Sequence, residues 1–266
     1  MEIITDSIWK SYPNLLHGFA TRRGGVSQSP YDEFNWSLSV GDDQRTVEVN
    51  REQFSEQFDI PLAHCLTLRQ VHGKDILEID FKGALPDSTE LQKGYDALMT
   101  SRTGILLGIQ TADCLPVLIF DVKKNIVAAV HAGWKGTYLG ITMKVIQAMT
   151  QRYQSSSQDI QALLGPSVGR CCYEFGVDEI KKFQKRYPHH ANWIEIRNGS
   201  FFLDVREANR FQLMSVGVPA EQIRSVTACT CCERERFFSV RRDEITGRHL
   251  NFIMLRPDAN SEEDNR

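Results

Sequence analysis

Three segments of the chain each carry a cysteine or a histidine, and side chains of these types can bind a metal ion. Cys114 lies in Thr-Ala-Asp-Cys-Leu-Pro, and His131 opens His-Ala-Gly-Trp-Lys-Gly. His72 lies upstream in Gln-Val-His-Gly. One thiolate and two imidazoles suit zinc, and three protein ligands leave the fourth position of a tetrahedral ion open. Convergence of these three residues would indicate a catalytic metal site.

The same cysteine supports hypotheses of other kinds. With His131 as base and Asp113 or Gln70 nearby, Cys114 would be the nucleophile of a cysteine hydrolase, which needs no metal and has a thiol of low pKa. A structural zinc site in a binding module would require a fourth protein ligand. A buried thiol that only packs in the core is a further alternative.

Paired arginines next to paired glycines form a candidate anion site near the N-terminus. Arg22 and Arg23 precede Gly24 and Gly25. Guanidinium groups and accessible backbone N–H groups can together surround a phosphate. The segment therefore predicts an anion site, although it is not a P-loop, because no Gly-Lys-Ser/Thr follows.

A second arginine pair lies near the C-terminus. Arg241 and Arg242 follow Phe-Phe-Ser-Val and precede Thr-Gly-Arg, which ends at Arg248. Because a strand over residues 237–240 would hold both arginines in place, one could bind the anion while the other forms a structural ion pair.

Six further cysteines accompany Cys114. The pair at 171–172 and the Cys-Thr-Cys-Cys run at 229–232 suggest a second metal site, but no further ligand follows at zinc-finger spacing. We therefore interpret them mainly as packing thiols. Seven cysteines in all, an odd number without a secretion signal, argue against a disulfide framework.

Composition excludes several classes of function. The chain has 266 residues, 41% of them hydrophobic, and a net charge of −3. This charge gives no support for bulk binding to nucleic acid. No apolar run reaches the roughly 20 residues of a membrane helix, and the N-terminus has no signal-peptide pattern. We expect a cytoplasmic protein that binds neither nucleic acid nor membrane.

Local patterns predict the elements that must position these residues. Apolar periodicity and short apolar runs bounded by turns predict helices over 45–58, 139–153, 177–187 and 204–216, and strands over 104–110, 115–121, 126–131, 160–164, 225–228, 237–240 and 250–255. Asp42 or Asp43 and Asp204 are predicted N-caps, and Gly217 follows the last helix. Lys123-Lys124-Asn125 is a predicted hairpin turn.

The order of these elements indicates the fold class. Because hairpins and helices are mixed without strict β-α alternation, an α+β fold is favoured. We expect one domain over residues 1–256, followed by a disordered, mostly acidic tail over residues 257–266.

These motifs together resemble the YfiH-type family of purine nucleoside phosphorylases, historically called polyphenol oxidases or laccase-domain proteins. The resemblance covers nearly the whole chain. Its blocks occur in order at residues 17–19, 21–27, 40–43 with 50–51, 70–73, 111–116, 131–136, 164–166, 173–174, and 239–242 with 246–248. One departure is Asn-Trp-Ser-Leu-Ser at 35–39, where the family has Asn-Leu-Asn/Ser-Leu.

The resemblance implies a single α+β domain of layered, mixed and largely antiparallel sheets flanked by helices. It implies zinc, or in second place copper, on His72, Cys114 and His131. It implies phosphorolysis of adenosine, inosine, guanosine and 5′-methylthioadenosine to the free base and a ribose 1-phosphate, with adenosine deamination as a further activity. Editing of a mis-built muramoyl-amino-acid precursor has also been attached to the family.

A copper polyphenol oxidase is the least favoured alternative, because the seven histidines include no His-x-His pair. In the phosphorylase hypothesis the substrates are a purine nucleoside and inorganic phosphate. Residues 22–25, with Arg241 or Arg242, would hold phosphate. Asp113 and Gln70 would orient ligands or move a proton beside the metal. The sequence does not determine the oligomeric state.

Overall fold

The computed structural model describes residues 1–79, 83–188 and 191–257. Its strands in chain order are β1 Ile3–Ile4, β2 Leu15–Ala20, β3 Cys65–Thr67, β4 Ile76–Ile79, β5 Ala97–Thr100, β6 Leu106–Thr111, β7 Leu115–Asp121, β8 Ile126–Ala132, β9 Ile160–Leu164, β10 Glu174–Phe175, β11 Ile194–Arg197, β12 Ser200–Leu203, β13 Ile223–Ser225 and β14 His249–Leu255. Its α-helices are α1 Gln44–Phe58, α2 Ser88–Leu91, α3 Trp134–Leu139, α4 Ile141–Tyr153, α5 Val177–Arg186, α6 Val205–Ser215 and α7 Val240–Asp243.

The described strands form three sheets. The largest has the order β13-β9-β7-β8-β5-β4, and the second has the order β1-β2-β14-β6-β3. A third, small sheet has the order β10-β12-β11. Most neighbouring strands are antiparallel, while β3 with β6, β4 with β5 and β9 with β13 pair in parallel. The mixed, largely antiparallel α+β class predicted from the sequence is confirmed.

The two large sheets pack face to face around a shared apolar core. Because side chains alternate between the two faces of a strand, each strand of the six-stranded sheet also supplies side chains to the opposite face. In β7, Leu118 and Phe120 point to the core between the sheets, where they meet Leu107 and Ile253 of the second sheet. Val117, the neighbour of Leu118, belongs to the core on the opposite face. Apolar side chains therefore pack on both sides of the six-stranded sheet.

Helices cover the outer faces of both sheets. On the six-stranded sheet, α4 and α6 contribute buried side chains that include Val145, Met149 and Leu213. On the other sheet, α1 packs Phe54 against Phe252 of β14. The order of layers is helix, sheet, sheet, helix.

The chain changes sheets immediately before the candidate metal ligand Cys114. Strand β6 belongs to the second sheet and β7 to the first, so the segment between them crosses from one to the other. Asp113 in this segment has φ 90°. The β7–β8 hairpin pairs Leu115 with Ala132 and Pro116 with His131, which brings Cys114 near His131. Asn125 closes the predicted turn with φ 51°.

Several predicted boundaries are confirmed at their caps. The Asp43 side chain accepts the Thr46 N–H, and the Asp204 side chain accepts the Glu207 N–H. Gly217 follows α6 with φ 93°. These caps depend on neighbours within a few residues, so a local pattern is enough to identify them.

Three element predictions are wrong in detail. The helix expected over 139–153 begins two residues later, as α4, because Gly140 with φ 78° ends the preceding helix α3 at Leu139. The strand expected over 225–228 lies earlier, at β13. Residues 237–240 form no strand: Phe237 and Phe238 are buried in a loop, and the Ser239 side chain caps α7. A short buried apolar run does not distinguish a strand from a buried loop.

The prediction of one domain over residues 1–256 stays a prediction. Residues 258–266, which make up most of the predicted tail, lie outside the described residues. Among the helices that the structure describes, none is long and apolar enough to cross a membrane.

Candidate metal-binding active site

His72, Cys114 and His131 converge, although they come from separate parts of the chain. The donor atoms of the three side chains all lie within 4.8 Å of one another. The two imidazole rings meet edge to face, with 4.8 Å between their centroids. His131 is buried, Cys114 is half-buried and His72 is exposed. The cluster therefore opens towards solvent on the side of His72.

Asp96 holds both histidines, and the sequence analysis missed it. Its side chain is fully buried and its Oδ1 lies 2.7 Å from His131 Nδ1, so that Nε2 of His131 is the nitrogen left for a metal. The same carboxylate accepts the backbone N–H groups of His72 at 2.9 Å and Gly73 at 2.6 Å. A carboxylate behind a ligating imidazole fixes the ring and raises its basicity.

The turn that carries His72 depends on this carboxylate. His72 has φ 58°, a left-handed conformation that non-glycine residues seldom adopt. The amides of Val71, His72 and Gly73 all point to Asp96. Three hydrogen bonds to one buried charge stabilise the strained turn and aim the imidazole at the cluster.

The electrostatics of the cluster favour a thiolate. Burial raises the pKa of the Cys114 thiol, but the charge of His131 and hydrogen bonds from both imidazoles outweigh burial and lower the pKa to about 6. Burial lowers the pKa of His131, whereas the Cys114 charge and the Asp96 hydrogen bond raise it to about 9. Cys114 and His131 therefore form a thiolate–imidazolium pair near neutral pH when no cation replaces the proton.

This donor set fits a zinc ion. A thiolate and two imidazoles, one of them backed by a carboxylate, are typical of zinc sites. Among the described residues the group has three members and no fourth protein ligand, which is the pattern of a catalytic rather than a structural site. Within the part of the chain that the structure describes, the structural-zinc hypothesis for this cluster lacks the fourth ligand that it requires.

The cluster forms part of the wall of a cavity of about 710 Å³. This volume is in the range of small-molecule sites, roughly 300–1,000 Å³. Ser37 and Ser39 line the cavity, and both belong to segment 35–39, which differs from the family pattern. The aromatic residues Trp134 and Tyr173 also line it. Most of the other lining residues are polar or charged, so the cavity suits a polar small molecule, and the two aromatic rings offer a surface for a planar ring.

The cationic residues of the cavity are Arg69, Arg241 and Arg248. The Arg241 guanidinium stacks over Tyr173, 5.4 Å from the ring centroid, and donates to the Glu174 carbonyl. Arg248 donates from Nη1 to the carbonyls of Thr246 and Gly247. Arg241 was a predicted anion-binding residue. The sequence places Arg248 at the end of the Thr-Gly-Arg motif without predicting a role for it, and it gives no signal for Arg69.

The structure does not bring the predicted N-terminal anion site to this cavity. Arg22 is paired with Asp32 and stacked on Phe238, and Arg23 donates to the Glu235 carbonyl. Neither arginine lines the cavity.

The two glycines beside them have structural roles. The Gly24 N–H donates to the Glu33 carboxylate at 2.6 Å. A Cβ on Gly25 would lie 2.4 Å from the Glu33 carbonyl oxygen and 2.5 Å from Phe34 Cα, so this glycine permits close backbone packing. The pattern of paired arginines and glycines here organises a loop.

Arg242 is likewise occupied with structural contacts. It pairs with Asp243 at 2.6 Å and donates to the carbonyls of Thr230, Cys231 and Phe237. Of the second arginine pair, only Arg241 lines the cavity.

Asp113 and Gln70 line the cavity, but their polar atoms hold neighbouring segments. The Asp113 carboxylate accepts hydrogen bonds from the Thr230 hydroxyl at 2.6 Å and from the backbone N–H of Arg241 at 2.7 Å. Gln70 forms two hydrogen bonds with the backbone of Gln110, at 2.8 and 2.7 Å. These contacts favour positioning roles over proton transfer for both residues.

The cysteines interpreted mainly as packing thiols also require a correction. Cys171, Cys172, Cys229 and Cys232 are exposed or half-buried, and their sulfur atoms lie within 4.8 Å of one another. The two cysteine segments are distant in sequence, so their convergence had only one local signal, the Cys-x-x-Cys spacing of 229 and 232.

Fold and site together define a layered α+β protein with a candidate metal site in an open cavity. Residues 16–256 match the sequence model of a family described as multi-copper polyphenol oxidoreductase laccase, and the chain belongs to this family. The resemblance to YfiH-type proteins is thereby confirmed, and the donor cluster is consistent with the metal binding that the family description indicates.

Three known proteins show the extent of the similarity. The purine nucleoside phosphorylase YlmD of Geobacillus stearothermophilus is 36% identical over 248 residues, which are 91% of this chain and 90% of that protein. An adenosine deaminase named RL5, from an unknown prokaryotic organism, is 36% identical and covers 85% of this chain and 88% of its own length. The crystal structure of Bacillus licheniformis YfiH superposes with a TM-score of 0.88 at 32% identity, covering 96% of both chains.

Proposed function

We propose that this protein is a zinc-dependent purine nucleoside phosphorylase. Its proposed substrates are adenosine, inosine, guanosine and 5′-methylthioadenosine, which phosphate converts to the free base and the corresponding ribose 1-phosphate. The observation that carries the proposal is one cavity whose wall contains both a three-donor metal cluster and the guanidinium groups of Arg241 and Arg248. The enzyme names of relatives that cover nearly the whole chain support it.

The reaction defines what the cavity must do. The bond from the anomeric carbon to the purine nitrogen breaks, a bond to a phosphate oxygen forms, and the purine leaves with the bonding electrons and takes up a proton. The sugar passes through a state of oxocarbenium character, so an anion must be held beside a developing cation.

Arg241 and Arg248 are the proposed phosphate ligands in place of residues 22–25. Both line the cavity, and charge-assisted hydrogen bonds from a guanidinium match phosphate oxygens. Trp134 and Tyr173 supply aromatic surface for the purine, and the hydroxyls of Ser37 and Ser39 supply hydrogen-bonding groups for the sugar.

His72, Cys114 and His131 are the proposed zinc ligands. Zinc held there supplies a concentrated positive charge and an open coordination position beside the substrate. Asp96 keeps the His131 ring oriented and accepts its Nδ1 proton. Asp113 and Gln70 hold the surrounding segments in place.

Adenosine deamination is a second candidate activity at the same site. It is favoured by the relative named adenosine deaminase and by Glu244, a carboxylate in the cavity wall. In zinc-dependent deaminases a glutamate that is not a metal ligand carries protons between water and the base. Glu244→Gln is expected to abolish ammonia release from adenosine, measured without phosphate, and normal release in this variant would exclude that role.

The decisive experiment measures base release from adenosine and inosine with and without phosphate, alongside the metal content. We expect base release to require phosphate and to yield an equal amount of ribose 1-phosphate. His72→Ala and Cys114→Ala are expected to lose the metal ion of this cluster together with the activity. Full phosphorolysis by a metal-free variant would contradict the proposal.

Arg248→Gln tests the phosphate ligand. Because a hydrogen bond to a charged group contributes about 1.5–3 kcal/mol, the KM for phosphate is expected to rise by roughly 10–100-fold. Arg152→Gln is the matched control, since Arg152 is exposed and pairs with Glu78 on the surface. An unchanged KM in Arg248→Gln would exclude this arginine.

The cysteine hydrolase remains the rival at the same residues. It predicts that Cys114 turns over substrate in chelator-treated protein and becomes acylated or otherwise covalently bonded. Mass spectrometry of metal-free protein incubated with substrate distinguishes the two hypotheses, because the phosphorylase predicts an unmodified Cys114.

A further inference from the structure

Four thiols form a compact cluster outside the cavity. Cys171 and Cys172 lie in one turn, and Cys229 and Cys232 in another. The sulfur of Cys171 is 3.4 Å from that of Cys229 and 3.5 Å from that of Cys232, and the Cys172 and Cys232 sulfurs are 3.4 Å apart. All four cysteines are free.

These separations are close to those of a tetrahedral metal site. With zinc–sulfur bonds of about 2.3 Å, two sulfur ligands on one zinc ion lie about 3.8 Å apart. A disulfide would bring two sulfurs to about 2.0 Å. The cluster is much nearer to the first arrangement, and it involves four sulfurs rather than one pair.

Backbone contacts hold the two cysteine turns together. Ser167 and Cys229 form a parallel β-bridge, and the Thr230 N–H donates to the Ser167 carbonyl at 3.1 Å. The Gly169 N–H donates to the Cys229 sulfur at 3.2 Å. A Cβ at Gly169 would lie 3.2 Å from the Cys171 sulfur, so glycine permits the close approach of the thiols.

We propose that Cys171, Cys172, Cys229 and Cys232 bind a structural zinc ion as four thiolates. Four thiolates complete the coordination of zinc and leave no open position, unlike the cluster in the cavity. Cys229 and Cys232 have the Cys-x-x-Cys spacing of structural zinc sites.

The surroundings fit the net negative charge of such a centre. Four thiolates on one divalent ion leave two negative charges. The guanidinium of Arg206, on α6, donates to the Ala228 carbonyl at 3.0 Å and therefore lies beside Cys229. This cation offsets part of the charge.

The proposed zinc ion also supports the wall of the catalytic cavity. The Thr230 hydroxyl, inside the Cys-x-x-Cys turn, donates to Asp113 at 2.6 Å. The Val168 N–H, next to the other turn, donates to the Asp113 carbonyl at 2.9 Å. Asp113 precedes Cys114 in the chain. The two cysteine turns therefore hold in place the segment that carries Cys114, a proposed zinc ligand in the cavity.

Metal content tests the proposal on the full chain purified under reducing conditions and saturated with zinc. We expect about two zinc ions per chain, one for each cluster. Cys232→Ser and Cys114→Ser are each expected to retain about one. Cys65→Ser is the matched control, since Cys65 belongs to neither cluster, and it should retain both.

Cobalt substitution gives a readout that is independent of catalysis and of the stability of Cys232→Ser. In Cys114→Ser, whose four-thiol cluster is intact, bound cobalt should show the intense sulfur-to-metal charge-transfer absorption of several thiolates. Absence of this band, or wild-type protein that holds a single zinc ion lost in Cys114→Ser, would overturn the proposal. Phosphorolysis by Cys232→Ser is measured separately, so that failure of the second site does not bear on the first.

Discussion

The buried carboxylate of Asp96 has three roles at the metal cluster. It fixes the His131 ring, accepts the amides of the turn that carries His72, and balances the charge of the His131 imidazolium. Burial raises the pKa of this carboxyl, but the hydrogen bond and charge of His131 outweigh burial and lower it. Asp96 therefore stays ionised beside the metal cluster.

Asp96→Asn should weaken metal binding without removing a ligand. Loss of a carboxylate behind a ligating histidine typically costs 10–100-fold in metal affinity. We expect a reduction of that size in zinc affinity, measured by competition with a chromophoric chelator.

Asp121→Asn is the control for loss of a buried carboxylate. Asp121 is fully buried and accepts the N–H groups of Lys123 and Lys124 at the hairpin turn. This variant should lose stability but keep its zinc affinity. Equal zinc affinities for Asp96→Asn and wild type would refute the role of Asp96.

At the scale of elements, the junction of β8 and α3 determines how closely the ligands approach. Gly133 is the N-cap of α3 with φ −67°, a conformation that other residues adopt without strain. A Cβ at this position would lie 2.9 Å from His72 Nδ1 and 3.1 Å from the Cys114 sulfur. The glycine is required by the neighbouring donor atoms rather than by the backbone.

Gly133→Ala should separate stability from metal binding. The added methyl group displaces the His72 ring or the Cys114 thiol, so zinc affinity should fall by about tenfold or more, which corresponds to about 1.4 kcal/mol. The Tm of the chelator-treated protein should change little, because alanine fits the backbone. A variant with normal zinc affinity would show that the donors adjust freely.

The structure explains why two of the element predictions are wrong in detail. The apolar stripe includes Leu139, but Gly140 ends α3 at that residue and α4 begins at Ile141. The hydrophobicity of Phe237 and Phe238 correctly indicates that they are buried. Burial does not determine backbone conformation, so the strand predicted there is wrong.

At the scale of the whole molecule, two buried histidines lie in neighbouring strands of the five-stranded sheet. His17 of β2 accepts the Asp6 N–H, and burial lowers its pKa to about 4. His249 of β14 accepts the Phe238 N–H, and burial lowers its pKa to about 3. Both are therefore mostly neutral in the folded protein above about pH 4 and neutral at pH 7.

These histidines should make the fold sensitive to acid. Between pH 6.5 and about 4 the unfolded chain binds protons at both positions and the folded chain does not, so the free energy of unfolding falls as the pH falls. Each histidine contributes a slope of up to about 1.4 kcal/mol per pH unit.

Urea unfolding at pH 7 and pH 5, in chelator so that metal release does not contribute, measures this slope. His17→Gln keeps an acceptor for the Asp6 N–H and should reduce the pH dependence relative to wild type. An unchanged slope in His17→Gln and in His249→Gln would contradict the assignment.

Local sequence patterns are sufficient to predict the α+β class, the β7–β8 hairpin, the helix caps and the three metal-ligand candidates. Each of these follows from residue type or from periodicity over a short window: alternation for strands, a capping side chain for helices, and donor chemistry for His72, Cys114 and His131. The family resemblance added the proposed reaction.

Long-range packing determines which of the remaining candidates lie together. Asp96 is an ordinary acidic residue in the sequence, and Arg22 is as plausible a phosphate ligand as Arg248 until the packing of the two sheets places one at the cavity and the other against Asp32. The four clustered cysteines likewise converge from turns about 60 residues apart. Such contacts arise from long-range packing, of which a local window of sequence shows at most a fragment, such as the Cys-x-x-Cys spacing of residues 229 and 232.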